Sequence, residues 1–365
     1  MSRFAKSGRV FYIEEPVISE GAARFETTAR DGGVTVVVPH VPREKTANMA
    51  GVLRALIDRM FREHRIGAHY LWIYTPMAVE WTRHLRPSAV IYDCMDELSA
   101  FKGAPPGLKQ NEKELLAWAD IVFTGGRSLF EAKRNQHPSV YCFPSSVDVA
   151  HFASARSVRT EPDDQARIPG PRLGYFGVID ERMDLELLAK VADARPDWHF
   201  VIVGPVVKID PVDLPQRANI HFLGMKKYEQ LPSYIAGWDV AILPFARNEA
   251  TRFISPTKTP EYLAAGRPVV STSIRDVVNP YGDLGLAHIA DEAPAFAAAV
   301  EAALAEDPQK RLKEVDAVLS VNSWARTWGR MAELIDDVSS RKTAWPVPRH
   351  AYARAASAAG ASSGS

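Results

Sequence analysis

Two textures alternate along most of the chain. Short runs rich in β-branched, leucine and aromatic residues stand at Val10–Glu14, Val34–Val38, Tyr70–Tyr74, Ala89–Asp93 and Ile121–Thr124. They recur at Leu173–Phe176, His199–Val203, Ile220–Phe222, Val240–Leu243 and Val269–Ser271. Such runs read as buried strands. Between them lie stretches of helical period, notably Ala47–His64 and Leu108–Ala119 in the first half. In the second half they lie near Asp184–Ala194, Tyr228–Ala236, Pro256–Ala265 and Ala293–Ala305. Strand and helix in alternation predict an α/β fold with parallel sheets covered on both faces. The polar stretch Ser157 to Pro171, containing Glu161-Pro162-Asp163-Asp164, reads as a linker between domains at 1–156 and 172–322. Ser323–Asp337, with Trp324, Trp328 and Met331, predicts a final amphipathic helix within 323–342. The Ala-, Ser- and Gly-rich tail 343–365 has too little apolar bulk for a core, which predicts disorder.

One segment carries chemistry as well as pattern. Ser255-Pro256-Thr257-Lys258-Thr259-Pro260-Glu261-Tyr262-Leu263-Ala264-Ala265-Gly266-Arg267-Pro268-Val269-Val270 reads as a short helix followed by a strand. Ser255 suits an N-cap and Pro256 the first helical position. Gly266 is a natural stop, and Pro268 prevents continuation. A helix start offers free N–H groups and the positive end of a dipole, so Ser255, Pro256 and Thr257 mark a place for phosphate. Lys258 adds a full charge. Glu261, one turn on, can accept both hydroxyls of a ribose. The combination predicts a nucleoside diphosphate site; the alternative is a capped helix with a Lys–Glu pair on a wet face. The preceding strand, Val240–Phe245, and polar loop, Ala246–Ile254, place the helix at the carboxyl end of a strand, where open α/β sheets hold ligands.

Composition narrows the class without naming a partner. The chain of 365 residues is long enough for two domains, with an apolar fraction of 46% and a charged fraction of 24%. Lysine plus arginine equals aspartate plus glutamate, 44 each, so nothing favours nucleic acid. Two cysteines, Cys94 and Cys142, are too few for a disulfide framework and are expected to be buried at strand ends. No apolar run approaches the roughly 18 residues of a membrane span, and Met1–Gly8 lacks a signal-peptide core. The expected location is the cytoplasm, compatible with peripheral contact at the inner face of a membrane.

The sequence resembles the family 4 retaining glycosyltransferases of the GT-B fold, bacterial surface-polysaccharide and exopolysaccharide types in particular. Tyr92-Asp93-Cys94-Met95-Asp96-Glu97-Leu98, Phe143-Pro144-Ser145-Ser146-Val147-Asp148 and Gly174-Tyr175-Phe176-Gly177-Val178-Ile179-Asp180-Glu181-Arg182-Met183-Asp184 carry the resemblance, together with the Ser255–Val270 block. It runs from about Arg9 to about Ile335. It implies two Rossmann-like domains facing a cleft, with the last helix crossing back to the first domain. It also implies metal-independent hexosyl transfer, with retention, from a nucleotide sugar to a saccharide or lipid-linked acceptor. No cofactor is implied, and a UDP-sugar is the expected donor. The developing charge on the leaving diphosphate needs preorganised cations, a role assigned to Lys258, the helix start at Thr257, and Arg182 in the loop that Gly177 opens. Arg182 could instead be a solvated loop arginine, and Lys208 is a weaker candidate. Asp96, after a strand end, is expected to orient an acceptor hydroxyl or else to cap a helix.

The chain departs from that pattern in two places. Val10–Glu14 matches the family's second strand and Met1–Lys6 the end of the helix before it, so the first strand is expected to be missing, leaving an unpaired sheet edge. Phe253 stands eight positions before Glu261, where many relatives carry another glutamate. These departures keep open a non-catalytic nucleotide-sugar binder or partner subunit, and, further off, a nucleotide-sugar epimerase. Other chemistries find no motif. There is no His-Glu-X-X-His, paired Cys-X-X-Cys, Walker loop or Gly-X-Gly-X-X-Gly, so no metal site is expected. Gly126-Arg127-Ser128-Leu129-Phe130 lacks the second glycine of a nucleophile elbow.

Overall fold

The computed structural model describes residues 1–344; the tail expected to be disordered lies almost wholly outside the described residues. Fourteen strands are present: β1 Val10–Ile13, β2 Val17–Ser19, β3 Arg24–Ala29, β4 Val34–Pro42, β5 Tyr70–Ile73, β6 Ala89–Cys94, β7 Ile121–Thr124, β8 Val140–Cys142, β9 Arg172–Phe176, β10 His199–Val203, β11 Ile220–Gly224, β12 Val240–Leu243, β13 Val269–Ser271 and β14 Ala287–Ile289. They form a sheet in which β4 pairs with β1 and β2 in parallel and with β3 antiparallel, a four-stranded sheet of order β5-β6-β7-β8, and a six-stranded sheet. Among the described residues β1 pairs with β4 alone and β5 with β6 alone.

The chain divides into two compact units. Of the described residues, the first comprises Met1–Tyr92, Lys113–Ile121 and those from Arg330 to Ala344; the second comprises Asp93–Glu112 and Val122–Gly329. In the first, the helix Met49–Glu63 buries Leu53, Leu56, Ile57 and Met60, the i, i+3, i+4, i+7 stripe its sequence predicts. Ile57 and Met60 join Val37 and Leu85 in a small core with Phe11 and Leu71 at its margin. Strands β2 and β3 escaped the sequence reading because most of their residues are exposed and lack an apolar face.

The second unit is built around the sheet β11-β10-β9-β12-β13-β14, all parallel. In chain order this is 3-2-1-4-5-6, the arrangement whose direction reverses between β9 and β12. Strands β9, β10, β12 and β13 are buried almost throughout, as strands covered on both faces must be. Ser157–Pro171, expected as a linker, contains a short helix, Asp163–Ala166, whose Gln165 is fully buried. Gln165 accepts a bond from Trp238 Nε1 at 3.0 Å and donates to the Tyr234 carbonyl at 2.9 Å. The final helix, Trp324–Ala344, is longer than the amphipathic pattern indicated, and the helix Pro308–Leu319 was not foreseen.

Trp238 is packed on β9 at Gly174, where a Cβ would come within 1.8 Å of the indole ring. Gly174→Ala is therefore expected to destabilise the protein by at least about 3 kcal/mol. Gly67→Ala, at an exposed site with nothing within 4 Å of the added carbon, should change it by less than about 0.5 kcal/mol. Urea denaturation of the two variants checks the contrast.

Candidate functional site

The carboxyl ends of β9 and β10 are held together by two glycines. Gly177 follows β9 and Gly204 follows β10, each with φ +146°, a conformation side chains rarely adopt. The Gly177 N–H donates to the Val203 carbonyl at 2.9 Å. A Cβ on Gly204 would lie 1.8 Å from the Gly177 carbonyl oxygen. On its other side Gly177 is covered by Lys258: an added Cβ would be 2.2 Å from Cε and 3.0 Å from Nζ of that lysine. Only a bare backbone lets the Lys258 stem cross the end of β9 and carry its ammonium to the point where the sheet reverses.

The loop after Gly177 is strapped to both neighbouring strands. Ile179 donates to the Pro205 carbonyl, Asp184 N to Pro244 O and Ala246 N to Arg182 O. Met183 bridges to Phe245. Asp184 caps the helix Leu185–Ala194, accepting from Leu187 N at 2.8 Å. Within the loop, buried Asp180 takes Nε of Arg182 at 2.9 Å and Nη2 at 2.7 Å. That fork uses Nε and Nη2, leaves Nη1 outside it, and offsets much of the arginine's charge. Arg182 is thus half-buried and anchored rather than a solvated loop residue.

The helix of the Ser255 block runs Lys258–Ala264 with Thr257 as N-cap, and no side chain caps it. This corrects the expectation that Ser255 caps a helix whose first residue is Pro256. Pro260 has no N–H to give to the Pro256 carbonyl, so the first full helical bond is Glu261 N to Thr257 O, at 3.3 Å. Thr257 is exposed, Pro256 half-buried, and Pro256 O accepts only the tighter bond from Thr259 N. Ser255 packs instead where a Cβ on Gly126 would sit, 2.7 Å from its own Cβ. The other end follows the sequence reading. Gly266 has φ +82°, with Gly266 N bonded to Leu263 O and Arg267 N to Tyr262 O, a Schellman stop. Tyr262, fully buried, clamps the helix to β9 by accepting from Phe176 N at 2.9 Å.

Lys258 and Glu261 are half-buried, not on a wet face. Burial pushes the Lys258 ammonium below its usual range, with Glu261 pulling the other way and Arg182 adding to the fall. Burial pushes the Glu261 carboxyl up to about 7, against the pull of Lys258. Glu261 Oε2 is sealed from solvent without a hydrogen-bond partner. Each group acts on the other, and the Glu261 oxygen is left without a donor.

Asp96 belongs to the same compact unit. Burial raises its carboxyl and the Arg182 charge lowers it, so it lies within the field of that arginine. It caps no helix: the short 3-10 turn Leu98–Ala100 has Glu97 at its N-cap. Its segment is pinned by Lys133, whose ammonium meets Glu97 at 2.7 Å and Glu112 at 2.8 Å. The Phe101 ring lies 5.8 Å from the Arg182 guanidinium and 5.6 Å from Lys208 Nζ. The structure therefore gathers Gly177, Arg182, Lys258, Glu261 and Asp96 by contact or electrostatic reach, and leaves Ser255 against Gly126. The reading from sequence gave no role to Asp180, Glu181 or Phe101. Only the position of the first two, in a loop after a strand, could have pointed to them.

Residues 170–306 match the sequence model of the Glycosyl transferases group 1 family. TuaH of Bacillus subtilis (strain 168), a protein named as a teichuronic acid biosynthesis glycosyltransferase, is 25% identical over 243 residues, covering 62% of this chain. The chain spans about three fifths of that relative, 61%. Among solved structures, sucrose-phosphate synthase from Thermosynechococcus elongatus superposes with a TM-score of 0.71 at 16% identity, over 93% of this chain and 91% of that one. A trehalose-6-phosphate structure from E. coli bound with UDP-2-fluoro glucose gives 0.65 at 13% identity, over 95% and 96%. Anabaena Alr3699/HepE in complex with UDP and glucose gives 0.63 at 14%, over 84% and 87%. The fold of this chain is GT-B.

Proposed function

We propose that the protein is a glycosyltransferase that moves a hexose from a nucleoside diphosphate sugar to a saccharide or lipid-linked acceptor with retention, in polysaccharide assembly. The observation that carries this reading is the half-buried Lys258–Glu261 pair, one Glu261 oxygen unpartnered, by the reversal point of the six-stranded sheet. A diphosphate would give the Lys258 ammonium the anion its burial denies it. Ribose hydroxyls would donate to Glu261, whose Oε2 has no partner. Charge developing on the leaving phosphate would meet Lys258 and Nη1 of Arg182, with no metal required for that role. Asp96, within the field of Arg182, would orient the acceptor hydroxyl. The match of residues 170–306 to group 1 glycosyl transferases covers every donor-side residue in this scheme. UDP is the proposed nucleotide of the donor, since the ligands named in two of the structural neighbours contain it. No helix of the described residues is long and apolar enough to cross a membrane; contact with a lipid-linked acceptor would then be peripheral, from the cytoplasmic side.

Glu261→Ala should abolish UDP binding in isothermal titration while the circular dichroism spectrum is retained; near-normal affinity would remove the ribose assignment. Lys258→Ala should lower kcat more than donor affinity, by about 100-fold or more, because its charge is used most as the phosphate leaves. An unchanged rate would remove that role.

The raised Glu261 carboxyl sets a pH dependence. In the ligand-free protein the unfolded chain releases this proton near 4.5 and the folded chain near 7, so stability falls as pH rises through that window. Glu261→Gln should flatten this part of the stability profile in urea titrations. UDP affinity should rise from pH 5 to pH 7 in the wild type, because ribose hydroxyls donate to the ionised carboxylate, and that rise should be lost in the variant.

A further inference from the structure

One carboxylate in the second unit has no place in the fold's bonding. Both side-chain oxygens of Glu181 are sealed from solvent, and neither has a hydrogen-bond partner. A buried carboxyl without a donor is among the costliest arrangements a fold can keep. Its neighbours show how unusual this is. Asp180 is occupied by the Arg182 fork, Met183 bridges to Phe245, and Asp184 caps a helix. The backbone of Glu181 is itself held, its carbonyl accepting from Asn248 Nδ2 at 3.0 Å. The loop is thus fixed by every residue around this side chain, while the side chain contributes no bond of its own. A ligand would reach the carboxylate by a turn of the side chain out of its cover, with the backbone held in place.

We propose that the Glu181 carboxylate receives hydroxyl groups of the sugar carried by the nucleoside diphosphate, forming a sugar subsite beside the phosphate subsite. The inference rests on the glycosyltransferase reading and adds a residue to it. Two unbonded acceptors on one side chain suit two donors, the pattern offered by adjacent hydroxyls of a hexose. A cation is a poorer fit. Lys258 and Arg182 act on the same loop through Asp180, and no group of three or more His, Cys, Asp or Glu among the described residues could hold a metal ion. The position also fits the order of groups in a donor. Glu181 is one residue from Arg182, to which the proposed function gives the leaving phosphate, and the sugar follows the outer phosphate.

The test compares wild type, Glu181→Gln and Glu181→Met by isothermal titration with UDP and UDP-glucose, then with GDP and GDP-mannose. Urea unfolding of each protein without ligand accompanies it. Glu181→Met should weaken binding of the nucleotide sugar by about tenfold or more while leaving the matching nucleoside diphosphate within about twofold. Glu181→Gln, which keeps one acceptor, should fall between. The ligand-free Glu181→Met protein should be more resistant to urea than wild type, since a methionine removes the orphan carboxyl. Equal effects on sugar-bearing and sugar-free nucleotides, or a loss of ligand-free stability, would overturn the role of Glu181 alone. Failure of the wild type to bind any of the four ligands would overturn the glycosyltransferase reading and this subsite with it.

Discussion

The site depends on one close approach. Gly177 has no side chain, so the stem of Lys258 lies against the end of β9 and not out in the solvent. Every other feature takes its place from that crossing. The φ of +146° at Gly177 and Gly204 brings the ends of β9 and β10 together, and Tyr262, four residues after Lys258, fixes the helix from below through Phe176. A methyl group at 177 would need the room that Cε now fills, and it would also meet the Tyr175 hydroxyl at 2.8 Å. The ammonium is therefore placed by sterics before any electrostatic preference acts.

The bonding around this crossing separates groups that build the fold from groups that await something else. Asp180, Asp184, Tyr262 and the carbonyls of Arg182 and Pro244 are all bonded within the protein. Lys258 is pushed down by burial, Glu261 is pushed up, and Glu181 has both oxygens unmet. Two carboxylates with unmet oxygens, Glu181 and Glu261, stand in the loop after β9 and in the helix Lys258–Ala264, by the reversal point of the 3-2-1-4-5-6 sheet.

Much of this was legible in the sequence because it rests on local rules. The spans His199–Val203, Val240–Leu243 and Val269–Ser271 matched to the residue, since strands buried on both faces leave continuous apolar runs. The Gly266 stop was legible because a Schellman turn needs its glycine. The start of the same helix was misread because Pro256 and Pro260 pull in opposite directions. Pro256 favours a helix start, but Pro260 withholds the N–H that would bond back to it. What remained hidden depends on distant partners. The N-terminus of the helix Arg127–Lys133 is capped by Asp276, which accepts from Arg127 N at 2.8 Å and Ser128 N at 3.0 Å across 149 and 148 positions. No local pattern announces such a cap. Nor does sequence show that Gly174 exists to admit Trp238, or that Glu181 is sealed while its neighbours are bonded.

The arrangement of charge follows from the same separation. Arg182 is bound in a fork to Asp180, so its charge is largely neutralised within the loop and its direction fixed. Lys258 has no carboxylate so placed; its nearest acidic neighbour on the helix, Glu261, is itself inclined to remain protonated near neutral pH. A Glu261 that keeps its proton leaves the charge of Lys258 uncompensated on the helix, which would favour an anion there. On the proposed reading, a diphosphate would stabilise the protonated lysine, and the lysine charge, which already pulls the Glu261 carboxyl down, would favour an ionised Glu261 able to accept hydroxyl donors. Binding of a phosphate and of a pentose would then be coupled through two side chains one helical turn apart. That coupling would discriminate against inorganic phosphate, which brings no hydroxyl to Glu261, and against a nucleoside, which brings no anion to Lys258.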